Sequence, residues 1–150
     1  MEIRAARSAE YDAVLALAVA CYAGGGFTTP EARLRGRLRT LMRSAAGRVA
    51  VAADAGGLHG FAITTTGFGL ENGLIAELED LYVAPPSRRR GVAGRLIEDS
   101  ARWAREYGCA QLELVVVSRG RDASSLLNYY DRRGFRDSGR LLLARRLSGG

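Results

Sequence analysis

Two short stretches of the sequence hold residues whose types and spacing could do chemistry. The first is Pro86-Ser87-Arg88-Arg89-Arg90-Gly91-Val92-Ala93-Gly94-Arg95-Leu96, with four arginines and two glycines. Glycine lets backbone approach a ligand with no Cβ in the way. A helix opening at such a point offers unpaired N–H groups and the positive end of its dipole, which suits phosphate. The second is Glu77-Leu78-Glu79-Asp80, three carboxylates in four residues. On a strand, Glu77 and Glu79 fall on one face and Asp80 on the other.

Composition narrows that chemistry. All 22 basic residues are arginine, so no lysine is present to grip phosphate in a Walker loop, form a Schiff base or activate a serine. Cys21 and Cys109 are far apart and lack the C-x-x-C spacing of a redox or zinc motif. His59 is the single histidine, so a two-histidine metal site is excluded, and it reads as a structural strand residue. We expect no metal. The net charge of +6 and pI of about 10.0 call for an anionic partner. The apolar run Ala13–Ala23 is too short for a membrane span, and acidic Glu2, Glu10 and Asp12 precede it where a leader peptide would be basic. The expectation is a cytoplasmic protein with no membrane partner.

The elements that must position these residues alternate. With 150 residues the chain is expected to form one domain, residues 1–150, burying about 68–70% of its unfolded surface. Glu2–Ala5 reads as a strand and Ser8–Tyr22 as a helix capped at Ser8. Thr29-Pro30-Glu31 reads as a cap, a first-turn proline and an acid at the positive end of a helix reaching about Arg43. Arg48–Ala53 and Leu58–Thr66 are strands joined by the hairpin signal Asp54-Ala55-Gly56-Gly57, and Leu74–Val83 is a third long strand stopped by Pro85-Pro86. Gly91–Tyr107 has helical apolar spacing and ends at Gly108. Leu112–Val117 is a continuous apolar strand, Ser124–Arg133 a helix closed by Gly134, and Phe135 and Arg140–Leu147 supply the last strand or strands.

The arginine-glycine loop therefore sits between a strand and a helix. It lacks G-x-G-x-x-G and G-K-[ST], so neither the dinucleotide fingerprint nor the P-loop applies. It matches R-x-x-G-x-[GA], with Arg88, Gly91 and Ala93 in register, between L-E-D-L-Y-V-A-P upstream and L-N-Y-Y-D-R-R-G-F downstream. With these three motifs in this order, the chain resembles the GNAT superfamily of acetyl-CoA-dependent N-acetyltransferases. The resemblance covers nearly the whole chain in element order, with its specific motifs between Glu77 and Phe135.

The resemblance implies an α/β fold: a mixed central sheet of six to seven strands, flanked by about four helices, with parallel strands splayed at the cofactor site. It implies acetyl-CoA as cofactor. Its pyrophosphate would lie on the backbone of Arg89, Arg90, Gly91, Val92, Ala93 and Gly94, with Arg88 marking the motif. Its pantetheine arm would lie against Leu81, Tyr82 and Val83, whose backbone amides would polarise the thioester carbonyl. Tyr130, four residues before Gly134, matches the family tyrosine beside the cofactor sulfur, and a phenol of pKa ~10 can protonate a departing thiolate. The family often has an asparagine seven residues before this tyrosine, where Ala123 stands here; Ser124, Ser125 or Asn128 could take over its contact.

A base is needed as well, because an alkylammonium of pKa about 10 is neutral only ~0.1% of the time at pH 7. Glu79 matches the acid that diamine acetyltransferases of the family present to substrate, and Asp80 resembles the strand aspartate of some aminoglycoside 3-N-acetyltransferases. With Glu71 and Glu77 these acids favour a small cationic acceptor, a polyamine or an aminoglycoside. The expected reaction is direct transfer of an acetyl group to a primary amine, with antibiotic resistance as one consequence. Acetylation of a protein or peptide is the alternative within the enzyme class. A basic nucleic-acid-binding module is the non-enzyme alternative, which an aromatic content of 7% and missing recognition motifs argue against. A homodimer is compatible with the relatives the chain resembles.

Overall fold

The computed structural model describes residues 1–118 and 120–148. The chain packs as two units, Met1–Val115 and Val116–Gly150. In the first, β1 (Glu2–Ala5), a 3-10 turn (Ser8–Glu10), α1 (Tyr11–Gly24) and α2 (Glu31–Arg43) precede β2 (Gly47–Asp54), β3 (Gly57–Gly69) and β4 (Gly73–Val83). A second 3-10 turn (Pro85–Ser87), α3 (Val92–Tyr107) and β5 (Leu112–Glu113) follow. The second unit contributes α4 (Ser124–Asp131).

The sheet runs in the order β1-β2-β3-β4-β5, antiparallel throughout except for the parallel β4–β5 pair. Strand alternation sorts its two faces. Val49, Val51, Phe61 and Ile63 join Val14, Leu15, Ala18, Leu34 and Leu38 of α1 and α2 in one core cluster. Ala50, Ala52 and Ala62 point the other way, and their small side chains let α3 approach through buried Leu96 and Ile97. A buried carboxylate ties α3 to β2: Asp99 accepts from Arg48 Nε at 2.8 Å and Nη2 at 2.9 Å, and from Arg102 at 2.9 Å.

Five strands are present among the described residues, rather than six or seven. The expected strand Leu112–Val117 is a ladder only at Leu112–Glu113, and neither Phe135 nor Arg140–Leu147 belongs to one. The apolar pattern of these runs suits a strand, but a strand exists through its partner's hydrogen bonds, which a pattern cannot supply. Two caps also differ from expectation. Arg7, not Ser8, occupies the cap of the first helical turn, its N–H donating to Glu10 at 2.8 Å. Pro30, not Thr29, caps α2, because its extended backbone needs no donor there.

Candidate active site

β4 delivers most of the chemistry-bearing residues, and its hydrogen-bond register decides where they point. Ile63 pairs with Asp80 but Thr64 pairs with Leu78, so Glu79 is an extra residue, a β-bulge. Cross-strand partners share a face, and Thr65 and Ile63 lie two apart on β3. Glu77, opposite Thr65, and Asp80, opposite Ile63, therefore face the same side, the α1/α2 side. Plain alternation placed Asp80 on the opposite face, and the bulge overturns that expectation. Glu79 joins them, accepting a hydrogen bond from Thr65 Oγ1 at 2.9 Å.

The three carboxyls have different surroundings. Glu79 is exposed. Burial, the Glu79 carboxyl and then Glu113 raise the pKa of Glu77, whose register partner on β5 is Glu113. Asp80 is pushed up mainly by burial, opposed by a hydrogen bond from the Tyr22 hydroxyl of α1. Burial and the nearby Asp80 in turn push the Tyr22 phenol up to about 12 and the Cys21 thiol up to about 11. Sequence reasoning did not find Tyr22 or Glu113. Glu113 could have been found by aligning L-E-L with A-E-L as parallel neighbours; Tyr22 had no signal. Glu71 lies in the turn between β3 and β4, about 20 Å along the strand from Glu79 at ~3.4 Å per residue, so it is not brought to the other three acids.

The far end of β4 leads into the arginine-glycine loop. On the β3 side, Tyr82 and Val83 pair with Phe61 and Gly60. Gly60 is required there, since a Cβ would lie 2.6 Å from the Tyr82 carbonyl oxygen. On the β5 side the ladder consists of Ala76–Leu112 and Glu77–Glu113, so the β4 edge along Leu81, Tyr82 and Val83 carries no strand among the described residues. Arg88 folds back on this end, donating from Nε to the Val83 carbonyl at 2.8 Å with its guanidinium 5.6 Å from the Tyr82 ring centre.

Arg89 and Gly91 adopt left-handed backbone, with φ of 62° and 74°, and α3 begins at Val92. The first N–H of this region to find an acceptor is that of Arg95, on the Gly91 carbonyl. The six N–H groups of residues 89–94 have no acceptor among the described residues. Such an array at a helix N-terminus favours an anion. The Val92 side chain is buried, so only its backbone is available, whereas the Arg89 and Arg90 side chains are exposed.

A side-chain relay holds this loop from behind. Buried Ser87 has its Oγ 2.7 Å from His59 Nδ1, and His59 Nε2 lies 2.6 Å from Asp54 Oδ1, which also accepts the Gly56 N–H at 2.8 Å. A carboxylate can only accept, so Nε2 carries the proton, and in the neutral ring Ser87 donates to Nδ1. The histidine ties the β2–β3 turn to the residue preceding Arg88.

In the second unit, Tyr130 is half-buried between Tyr129 and Phe135, edge-on to both at 5.4 and 5.6 Å. Burial, then the neighbouring Tyr129, raise its pKa, so it stays protonated across the neutral range. Tyr129 is covered by the Arg133 guanidinium, 3.6 Å from its ring centre. Ser125 and Asn128 lie exposed on α4. Among the described residues no group of histidine, cysteine and acidic side chains could hold a metal ion, and no helix is long and apolar enough to cross a membrane.

The first unit thus holds a bulged strand carrying acids, an uncovered strand edge and an anion-receptive helix start. The profile of the acetyltransferase (GNAT) family matches residues 11–135, and the chain belongs to that family. Aminoglycoside N(6')-acetyltransferase type 1 of Serratia marcescens is 43% identical over 44 residues, 29% of this chain and 30% of that enzyme's length. Among solved structures, aminoglycoside N-acetyltransferase AAC(6')-Iy in complex with CoA superposes with a TM-score of 0.82 at 19% identity, over 97% of this chain and 93% of that one. Aminoglycoside 6'-N-acetyltransferase AAC(6')-Ih of Acinetobacter baumannii superposes with a TM-score of 0.79 at 19% identity, over 99% of both chains. The fold is the mixed α/β fold these proteins share.

Proposed function

We propose that the protein transfers the acetyl group of acetyl-CoA directly to a primary amine of a small cationic substrate of the aminoglycoside type. The observation that carries this reading is the run of six N–H groups at residues 89–94 without an acceptor among the described residues, one short turn after a strand whose outer edge carries no strand among them. An extended thioester cofactor needs both: donors for its phosphates and a strand edge for its amide-bearing arm. The local match to an aminoglycoside 6'-acetyltransferase supports the acceptor class over polyamines.

The chain's residues divide the work. Backbone N–H groups from Arg89 to Gly94 hold the pyrophosphate, with Arg88 kept aside by the Val83 carbonyl. Bound acetyl-CoA supplies an activated acyl group on a thiol leaving group. Backbone donors at Leu81 and Val83, whose N–H groups alternate toward the uncovered edge while that of Tyr82 faces β3, orient the thioester carbonyl and stabilise charge developing on its oxygen. Glu77, Glu79 and Asp80 draw in the cationic amine. Glu79, exposed and hydrogen-bonded by Thr65, removes the ammonium proton directly or through water. Asp80 is a second reading for the base, favoured by the burial that raises its pKa toward the working range. Tyr130 supplies a proton to the departing thiolate, and Ser125 and Asn128 supply the polar contacts that Ala123 cannot.

A thiol-release assay with acetyl-CoA against aminoglycosides, polyamines, amino acids and peptides tests this. Release with aminoglycosides is expected. Thermal stabilisation by acetyl-CoA without release on any aminoglycoside would keep the cofactor and refute the acceptor.

A further inference from the structure

α2 (Glu31–Arg43) carries Arg33, Arg35, Arg37, Arg39 and Arg43 against one acid, Glu31. That is a charge of +4 on 13 residues of a chain whose whole charge is +6. Leu34 and Leu38 turn inward onto the core shared with α1 and the sheet, and all five arginines are exposed. Arg35 has Glu31 at 3.3 Å, and Arg39 lies 5.1 Å from the Tyr11 ring centre. The side chains of Arg33, Arg37 and Arg43 have no hydrogen-bond or ion-pair partner among the described residues. At 3.6 residues per turn, Arg33 and Arg37 fall on one flank of the exposed face and Arg35 and Arg39 on the other. Two rows of long cations therefore border a low strip of Gly36 and Thr40, which Arg43 closes at its C-terminal end.

The chemistry of this face selects its partner. Its other exposed residues are Glu31, Ala32, Gly36 and Thr40, so it offers no aromatic or large apolar anchor. Protein interfaces centre on such anchors, and single nucleic-acid strands stack their bases on aromatic rings. A helix that lies on a membrane turns its apolar side to the lipid, and here that side is buried in the core. What remains is a surface of closely spaced phosphates. We propose that the exposed face of α2 docks duplex DNA through its phosphate backbone, without regard to sequence and with residues that take no part in acetyl transfer. The two arginine rows stand on opposite flanks of a helix about 10–12 Å across, which suits the two phosphate walls of a B-form major groove ~12 Å wide. The A-form major groove of duplex RNA is too narrow for that fit. Because its inner face is fixed to the core, α2 cannot sink into the groove. Contact ends at the phosphates, which position a protein and carry no sequence information. Such docking needs neither a recognition motif nor an exposed aromatic.

The test is fluorescence anisotropy of a short labelled DNA duplex titrated with the full chain over a series of salt concentrations. Binding is expected with log K falling by about 2.7 to 4.5 per tenfold rise in salt, the counterion release of three to five phosphate contacts. Two duplexes of unrelated sequence should bind equally. Arg33→Gln with Arg37→Gln is expected to lower that slope by about 1.8 and to weaken binding roughly 60-fold at about 0.1 M salt. Both side chains are exposed and unpartnered, so Tm should keep its wild-type value. Arg89→Gln with Arg90→Gln removes two exposed cations from the loop before α3 and is expected to leave the slope unchanged. No binding at low salt, or a loss in the loop variant equal to that in the α2 variant, would overturn the proposal. So would a preference for one duplex sequence, or binding to single-stranded DNA or duplex RNA as tight as to duplex DNA.

Discussion

The sheet core and the stretch from Val115 onward are built from equally apolar residues and end in opposite states. Val51, Phe61 and Leu96 are fully buried, while Leu141 and Leu143 are 89% exposed. The difference is one of pairing. In β2–β4 each strand finds neighbours in its own chain, and α1, α2 and α3 cover both faces of the resulting sheet. Beyond Glu113 the same kinds of residue have no such neighbour among the described residues. The first unit carries the anion-receptive loop and the carboxylates, and the second carries Tyr130.

Four perturbations would break or sharpen this contrast. The largest effect on stability belongs to Asp99→Ala. Removing the one carboxylate that binds both Arg48 and Arg102 leaves a cation uncompensated between β2 and α3, a loss of about 3–5 kcal/mol measurable by denaturant unfolding. Next is Tyr130→Phe, expected to lower kcat about 100-fold, or roughly 2.7 kcal/mol, with acetyl-CoA affinity unchanged. Wild-type turnover would remove Tyr130 from the chemistry. Ser87→Ala cuts the His59 relay behind the loop at a cost of about 1 kcal/mol. It should raise KM for acetyl-CoA several-fold at nearly constant kcat, whereas a purely structural role would lower Tm alone. The smallest effect is on acid stability. Hydrogen bonds from Arg4 and from the Arg7 N–H hold Glu10 down from 4.5 to about 2. Its contribution is therefore complete above pH 4.5 and is lost as the pH falls toward 2, and Glu10→Gln should flatten that part of a Tm-against-pH curve.

The legible parts of this molecule were those fixed by local sequence. The Asp54–Gly57 hairpin, the helix ends at Gly91 and Gly108 and the strand-loop-helix order around Arg88 need only neighbouring residues, and these elements lie within a residue or two of where the sequence puts them. The bulge at Glu79 was not legible. Nothing in L-E-D-L separates a regular strand from one with an extra residue, because the register is set by β3 across the ladder. That one residue moves Asp80 to the face of Glu77 and Tyr22, and with it the choice of base. The Ser87–His59–Asp54 relay spans 33 positions and no periodicity marks it. The last strands failed for the same reason in stronger form: an apolar run does not say whether a partner strand is there to pair with it.

The most direct test compares two aminoglycosides identical except at the 6' position, one with an amine and one with a hydroxyl, each incubated with the protein and acetyl-CoA. Stoichiometric coenzyme A release, with one acetyl group added to an amine of the 6'-amino compound, is the predicted result. Equal acetylation of both would place the reaction at another amine. The absence of acetylation on either, with acetyl-CoA bound, would contradict the account.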